Sequence, residues 1–145
     1  MLDQSVSPQI AAPEWDALPL RAEPPEGEVR YLHGGALGLM RPESRRSHRR
    51  LAVRRRVVLA SGELWMAGYL HDFSARGIGV LTPIQILPNQ SATVFVDDLP
   101  PWEFRLRRCR RFGPGCFFCG GDFFPRGLTP RQFADLAKLG GVSLA

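Results

Sequence analysis

From Val53 onward apolar residues come in short bursts separated by turn-forming residues. The bursts run from Val53 to Ala60, Leu64 to His71, Gly77 to Thr82, Ala92 to Val96, Phe104 to Phe112 and Cys116 to Phe124. Enrichment in Val, Ile, Phe and Trp and the short, regular spacing predict strands in preference to helices. In Phe104-Arg105-Leu106-Arg107 apolar and basic residues alternate, which sets one face in a core and the other in water. Ser61-Gly62 and Gly113-Pro114-Gly115 suit tight hairpin links. Six short strands spaced in this way predict an all-β fold, a six-stranded antiparallel barrel that closes to remove exposed edges. A C-terminal helix is expected after it, with Thr129 as N-cap, Pro130 in the first helical position and Gly140 as the stop. Phe133, Leu136 and Ala137 then share a face that packs onto the barrel.

The first 40 residues follow neither period. They contain Pro8, Pro13, Pro19, Pro24 and Pro25 and are expected to form a flexible arm, extended or disordered, ahead of a barrel domain spanning 41–145. A length of 145 residues suits one domain with a tail. No stretch reaches the roughly 18 consecutive apolar residues of a membrane helix, so no membrane insertion is expected. The N-terminus also lacks the basic start and apolar run of a secretory signal. Three cysteines make an odd count, which argues against a disulfide framework. A cytoplasmic protein is therefore expected.

Charge changes the picture. The net charge of +5 hides an acidic arm, in which six acids face two arginines over residues 1–40, and a strongly basic remainder. Between Arg41 and Arg56 eight of sixteen positions are arginine, offset only by Glu43. Such a run repels itself and is not expected to be buried without an anionic partner. Lys138 is the single lysine of the chain. Arginine's planar fork suits phosphates and guanine edges, and the bias therefore leans towards recognition, although genomic base composition would produce it as well.

Within this run Arg46-Ser47-His48-Arg49-Arg50 is an Arg-x-x-x-Arg followed by apolar Leu51 and Val53. Asp72-Phe73-Ser74-Ala75-Arg76-Gly77 comes about twenty residues later, at a strand end. This pair of motifs resembles the PilZ domain, whose signature is Arg-x-x-x-Arg and then Asp/Asn-x-Ser-x-x-Gly. Gly120-Gly121-Asp122-Phe123 is similar to the Gly-x-x-Phe that closes the barrel in that family. The resemblance covers roughly residues 41–125 and implies a receptor for cyclic di-GMP that signals to an effector protein in motility, adhesion or exopolysaccharide control.

The chemistry of the residues agrees with that implication. Guanine's O6 and N7 form an acceptor pair that a guanidinium grips bidentately, and its plane can stack on the base. Guanine's other edge carries N–H donors, which require an acceptor such as Asp72. Ser74 offers a hydroxyl, and Gly77 permits close backbone approach. The candidate ligand-binding residues are therefore Arg45, Arg46, Arg50, Asp72, Ser74 and Gly77. Arg45 with Arg49 has the same spacing as Arg46 with Arg50. The second register is preferred because Leu51 matches the family's strand entry. An arginine at the position of Arg45 accompanies binding of two stacked ligands in that family. Asp72 and Ser74 also suit a plain turn.

No nucleophile is placed beside His71, so no enzyme activity is expected. Cys116-Phe117-Phe118-Cys119 lacks the second ligand pair of a zinc site, so neither metal nor cofactor is expected. The rival functions are a ligand-independent PilZ-like adaptor and a nucleic-acid binder. The second is weakened by the scarcity of aromatics among the arginines.

Overall fold

The computed structural model describes residues 11–25, 36–39, 50–97 and 99–139. Eight strands follow in chain order: β1 (Ala36–Leu39), β2 (Leu51–Val53), β3 (Arg55–Ser61), β4 (Leu64–Phe73), β5 (Gly77–Thr82), β6 (Ser91–Phe95), β7 (Trp102–Gly113) and β8 (Cys116–Phe123). One helix, α1 (Pro130–Leu139), comes last. The sheet order is β1-β2-β4-β3-β6-β7-β8-β5, and a further β4–β5 pairing closes β3 to β8 into a six-stranded antiparallel barrel. This is the architecture expected from the apolar bursts. β1 and β2 extend it as a short antiparallel pair joined to β4 through Leu51 and Phe73.

Turn chemistry fixes the two tight hairpins. Ser61 pairs with Leu64, leaving a two-residue loop whose first residue, Gly62, sits at φ +62°; this is the type II′ pattern, which matches the twist of the flanking strands. Gly113 pairs with Cys116 around Pro114 and Gly115, and Gly115 has φ +69°. Proline then glycine at the central positions makes a type II turn. The barrel is filled by alternate residues of every wall, among them Leu59, Met66, Leu70, Phe73, Ile78, Val94, Phe104 and Leu106. Leu136 and Ala137 of α1 join this core, and Phe133 lies 5.0 Å from Phe73, ring to ring. Thr129 Oγ1 accepts from the Gln132 amide while Gln132 Oε1 accepts from the Thr129 amide. That reciprocal capping box satisfies two amides at the helix start. Gly140 lies outside the described residues.

Among the bulges that break the alternation, two shape the outer face around β5 and β8. Leu70 pairs with Val80 but Asp72 with Gly79, so β4 carries one extra residue, His71. Strict alternation after Met66 and Leu70 would turn Asp72 inward. The bulge instead sends Phe73 into the core and leaves His71 and Asp72 on the outer face. In β7 the extra residue is Arg107, between the pairs Leu106–Gly121 and Arg108–Gly120.

The arginine run holds more buried structure than its charge suggests. Leu51, Ala52, Val53 and Arg54 are all buried. Partners along the chain explain this. Arg54 Nε donates to the His71 carbonyl at 3.1 Å, and Arg55 donates to Asp97 at 2.6 Å and to the Leu139 carbonyl at the end of α1 at 3.0 Å. Arg56 lies over the Trp15 ring at 4.1 Å and pairs with Asp16. Cys109 and Cys119 face each other across β7 and β8 with Cα atoms 4.1 Å apart and their sulfurs in contact. Cys116 is buried in a different cluster, with Tyr69 and Leu81.

Residues 11–25 run along the outside of the barrel. β5 pairs with β4 only as far as the Tyr69–Leu81 pair, and the N-terminal part of β4 keeps an open edge there. The Ala22 amide donates to the Ala67 carbonyl at 2.9 Å, and the Ala67 amide to the Leu20 carbonyl at 2.8 Å, in a parallel bridge centred on Arg21 and Ala67. Trp15 Nε1 donates to the Gly68 carbonyl at 3.0 Å, and its ring packs on Tyr69. The segment thus covers an edge that would otherwise expose unpaired backbone groups.

Two outcomes follow. Thr129→Ala should lower stability by about 1 kcal/mol through loss of the capping box, read as a lower midpoint in urea. Trp15→Ala should cost about 1–2 kcal/mol for a half-buried aromatic and speed proteolytic clipping within residues 11–25; equal clipping rates would show that the segment is not held by Trp15.

Candidate functional site

The outer face around the β4 bulge holds four of the six residues singled out by sequence: Arg50, Asp72, Ser74 and Gly77. Arg45 and Arg46 lie outside the described residues. Arg50 immediately precedes β2, and the pairing of Leu51 with Phe73 sets it beside Asp72. Its Nε donates to Asp72 Oδ1 at 3.1 Å, and Nη2 contacts the same oxygen. His71 Nδ1 lies 2.9 Å from Asp72 Oδ2. An ionised carboxylate only accepts, so this ring nitrogen carries the proton. The imidazole is held edge-on to the Phe118 ring at 4.9 Å. Both carboxylate oxygens therefore accept bonds from within the protein, and Asp72 is only 3% exposed. Its geometry suits a residue that aims the Arg50 guanidinium.

Burial alone would push the Asp72 carboxyl up. The hydrogen bond from His71 and the charge and hydrogen bonds of Arg50 outweigh it and hold the group below its ordinary value.

Ser74 serves the turn. Its Oγ accepts from the amides of Arg76 at 3.2 Å and Gly77 at 3.0 Å, and its own amide donates to the Gly77 carbonyl at 2.8 Å. The loop is braced from outside. The Phe123 amide takes the Arg76 carbonyl at 2.9 Å, and the Leu128 amide takes that of Ala75 at 2.7 Å. Gly77 then starts β5 opposite Asp122 of β8. A Cβ at Gly77 would lie 2.9 Å from the Gly121 carbonyl oxygen, a distance real side chains do not tolerate. The same point lies 3.7 Å from both Arg50 Nη1 and Asp122 Oδ1.

The positions that alternate outward here are Gly77 and Gly79 on β5 and Gly120 and Asp122 on β8. Asp72 and the Phe118 ring fill the space above Gly79, whereas the nearest atoms to a Cβ at Gly120 are 3.8 Å away. The floor between Arg50 and β7 is therefore largely bare backbone, which lets a flat ligand approach closely. Beyond it rise Arg105, which pairs directly with Asp122, and the bulged Arg107, whose Nη1 donates to Asp122 Oδ2 at 2.7 Å. Asp122 was not among the sequence candidates. Its signal was Gly-Gly before an acid in a strand, a pattern that weakens packing unless something else needs the space.

A carboxyl held low in the folded state contributes stability above its unfolded pKa and loses it as pH falls through the folded value. Acid unfolding should therefore show a component below about pH 4 that Asp72→Asn removes. Circular dichroism across that range would reveal it, and superimposable acid limbs for the two proteins would count against the Asp72 bonds. Replacing Gly77 by Val should destabilise the turn and shift the strand by forcing β5 away from Gly121.

Among the described residues no helix is long and apolar enough to cross a membrane. No group of three or more His, Cys, Asp or Glu among them could hold a metal ion. Comparison with curated proteins gave no match. Comparison with protein families matched residues 44–119 to the PilZ domain, a little over half of the chain. The match takes in the arginines from Arg45 to Arg56, the Asp-x-Ser-x-x-Gly turn and the barrel into the first half of β8, and the chain belongs to the PilZ domain family.

Proposed function

We propose that this protein is a receptor for cyclic di-GMP. The observation that carries the reading is the Arg50–Asp72–His71 cluster, set by a β-bulge at the rim of a glycine-floored surface. Arg50 is fixed by its Nε and Nη2 bonds, so part of the entropy of ordering that side chain is already met before a ligand arrives. Its guanidinium offers a fork and a flat face, suited to phosphate oxygens, to guanine O6 and N7, or to stacking. Arg46, and Arg45 beside it, would close on the ligand from the segment before β2. Ser74 and Gly77 shape the turn that bounds the surface.

A signal can leave the site through β2. Leu51 follows Arg50 directly, is fully buried and couples β2 to Phe73, and α1 packs near β2. Drawing the arginines onto a ligand would bias the β1–β2 pair and α1, an order–disorder or rearrangement switch read by an effector protein. Family membership favours an output in motility, adhesion or exopolysaccharide control. No catalytic step is assigned to the site.

Isothermal titration should show binding of cyclic di-GMP at micromolar concentrations. Arg46→Ala should weaken it by about tenfold or more, the value of a charge-assisted contact. Removal of Arg50 would strand a buried carboxylate, so Arg50→Lys is the cleaner variant. It keeps a positive charge opposite Asp72 and loses the planar fork, with a comparable expected loss. No heat with the wild-type protein, or wild-type affinity in both variants, would sink the proposal.

A further inference from the structure

The Asp72 carboxylate is only 3% exposed and both its oxygens already accept from Arg50 and His71, so the N–H edge of a bound guanine needs a more open acceptor. Asp122 meets that need by its position. It stands directly opposite Gly77, with a side chain about half exposed (53%), and Arg107 binds only its Oδ2. Oδ1 lies 3.7 Å from the point where a Gly77 Cβ would stand, the same distance from that point as Arg50 Nη1. One carboxylate oxygen therefore faces the glycine floor from the side opposite Arg50.

Next to it is a recess of about 340 Å³ lined by Asn89, Arg105, Arg107, Asp122 and Phe124. The Arg105 guanidinium lies over the Phe124 ring at 4.2 Å, forming a flat cationic platform of the kind that stacks on a base. Arg107 faces outward with Arg105, and the bulge turns Arg108 outward beside it. Arg107 and Arg108 are both exposed, whereas Leu106 is buried in the core and Cys109 packs against it. A surface ion pair as exposed as Arg107–Asp122 adds little to stability, so folding alone does not account for an acid held by Arg107 and paired across the strands with Arg105. β5 and β7 are two strand spacings apart, about 10 Å, a span open to one cyclic dinucleotide.

The geometry points to Asp122 as a specificity-determining residue whose open Oδ1 accepts from the exocyclic amino group of a guanine, with Arg105 and Phe124 as the stacking platform and Arg107 positioning the carboxylate. The inference rests on the cyclic di-GMP reading of the same site. It assigns the base-reading role to a residue outside both arginine and Asp-x-Ser-x-x-Gly motifs, and outside the matched span of 44–119.

The test compares cyclic di-GMP with cyclic di-IMP, which lacks the exocyclic amino groups, by titration against the wild-type protein, Asp122→Asn, Phe124→Leu and Arg50→Lys. Wild type should prefer cyclic di-GMP. Asp122→Asn should lower cyclic di-GMP affinity about 10- to 100-fold and bring the preference over cyclic di-IMP close to one. Phe124→Leu should weaken both ligands alike, and Arg50→Lys should weaken both while keeping the preference. Unchanged affinity and preference in Asp122→Asn, with wild type binding well, would overturn this inference and leave the receptor reading standing. Wild type that binds neither ligand would overturn both. Melting temperatures of the variants identify any loss due to unfolding, and Asp122→Glu, which keeps the carboxylate, should recover part of the preference.

Discussion

Closing the sheet through the β4–β5 pairing commits the interior to apolar side chains, because six short strands enclose no space for water or ligand. Every ionisable group on the barrel wall must then face outward or be matched by a partner. On β4 this creates a conflict, since the strand carries an acid two residues beyond a core leucine. The extra residue at His71 resolves it by letting Leu70 and Phe73 both point inward. Asp72, His71 and Arg50 are brought together by that local change of register. The disposition of the surface thus derives from the packing of the core.

The same logic explains why the ion pair can exist at all. Taking a carboxylate out of water costs several kcal/mol unless its lone pairs are met. Asp72 meets that cost with bonds from two residues on either side of it, and Phe118 screens His71 from solvent. Asp122 sits under the opposite regime. It is exposed and bonded on one oxygen only. Two acids of the same type, a few strands apart, are therefore suited to different tasks: one as a fixed anchor, the other as an open acceptor.

Most of the barrel was legible in the sequence because its strands obey a simple rule. Apolar bursts of five to nine residues between turn formers marked β3 to β8 to within two residues at each end, and Thr129-Pro130 marked the helix start. Three things escaped. β2 spans only three residues, too few for a period, and lies in a run whose charge argued against burial. The bulges are invisible to alternation, since a strand with an extra residue reads as one whose pattern is merely imperfect. The docking of residues 11–25 depends on an open edge of β4, which a tertiary structure creates and no local composition announces. Of the site, the arginine and Asp-x-Ser-x-x-Gly motifs were readable from spacing. The way Asp72 is occupied, and the reach of Asp122 towards Gly77, depended on pairings between distant strands.

In an alternating wall, the side on which a residue stands is a matter of parity: even positions face one world and odd positions the other. His71 and Arg107 each change that parity once. Chain positions that would have counted as interior thereby become exterior without any change in their own identity. The inserted residues at His71 in β4 and Arg107 in β7 thus act like frame shifts written in space. They let two strands spend one end of their length building a core and the other end presenting charge, on the same face, to whatever arrives from solution.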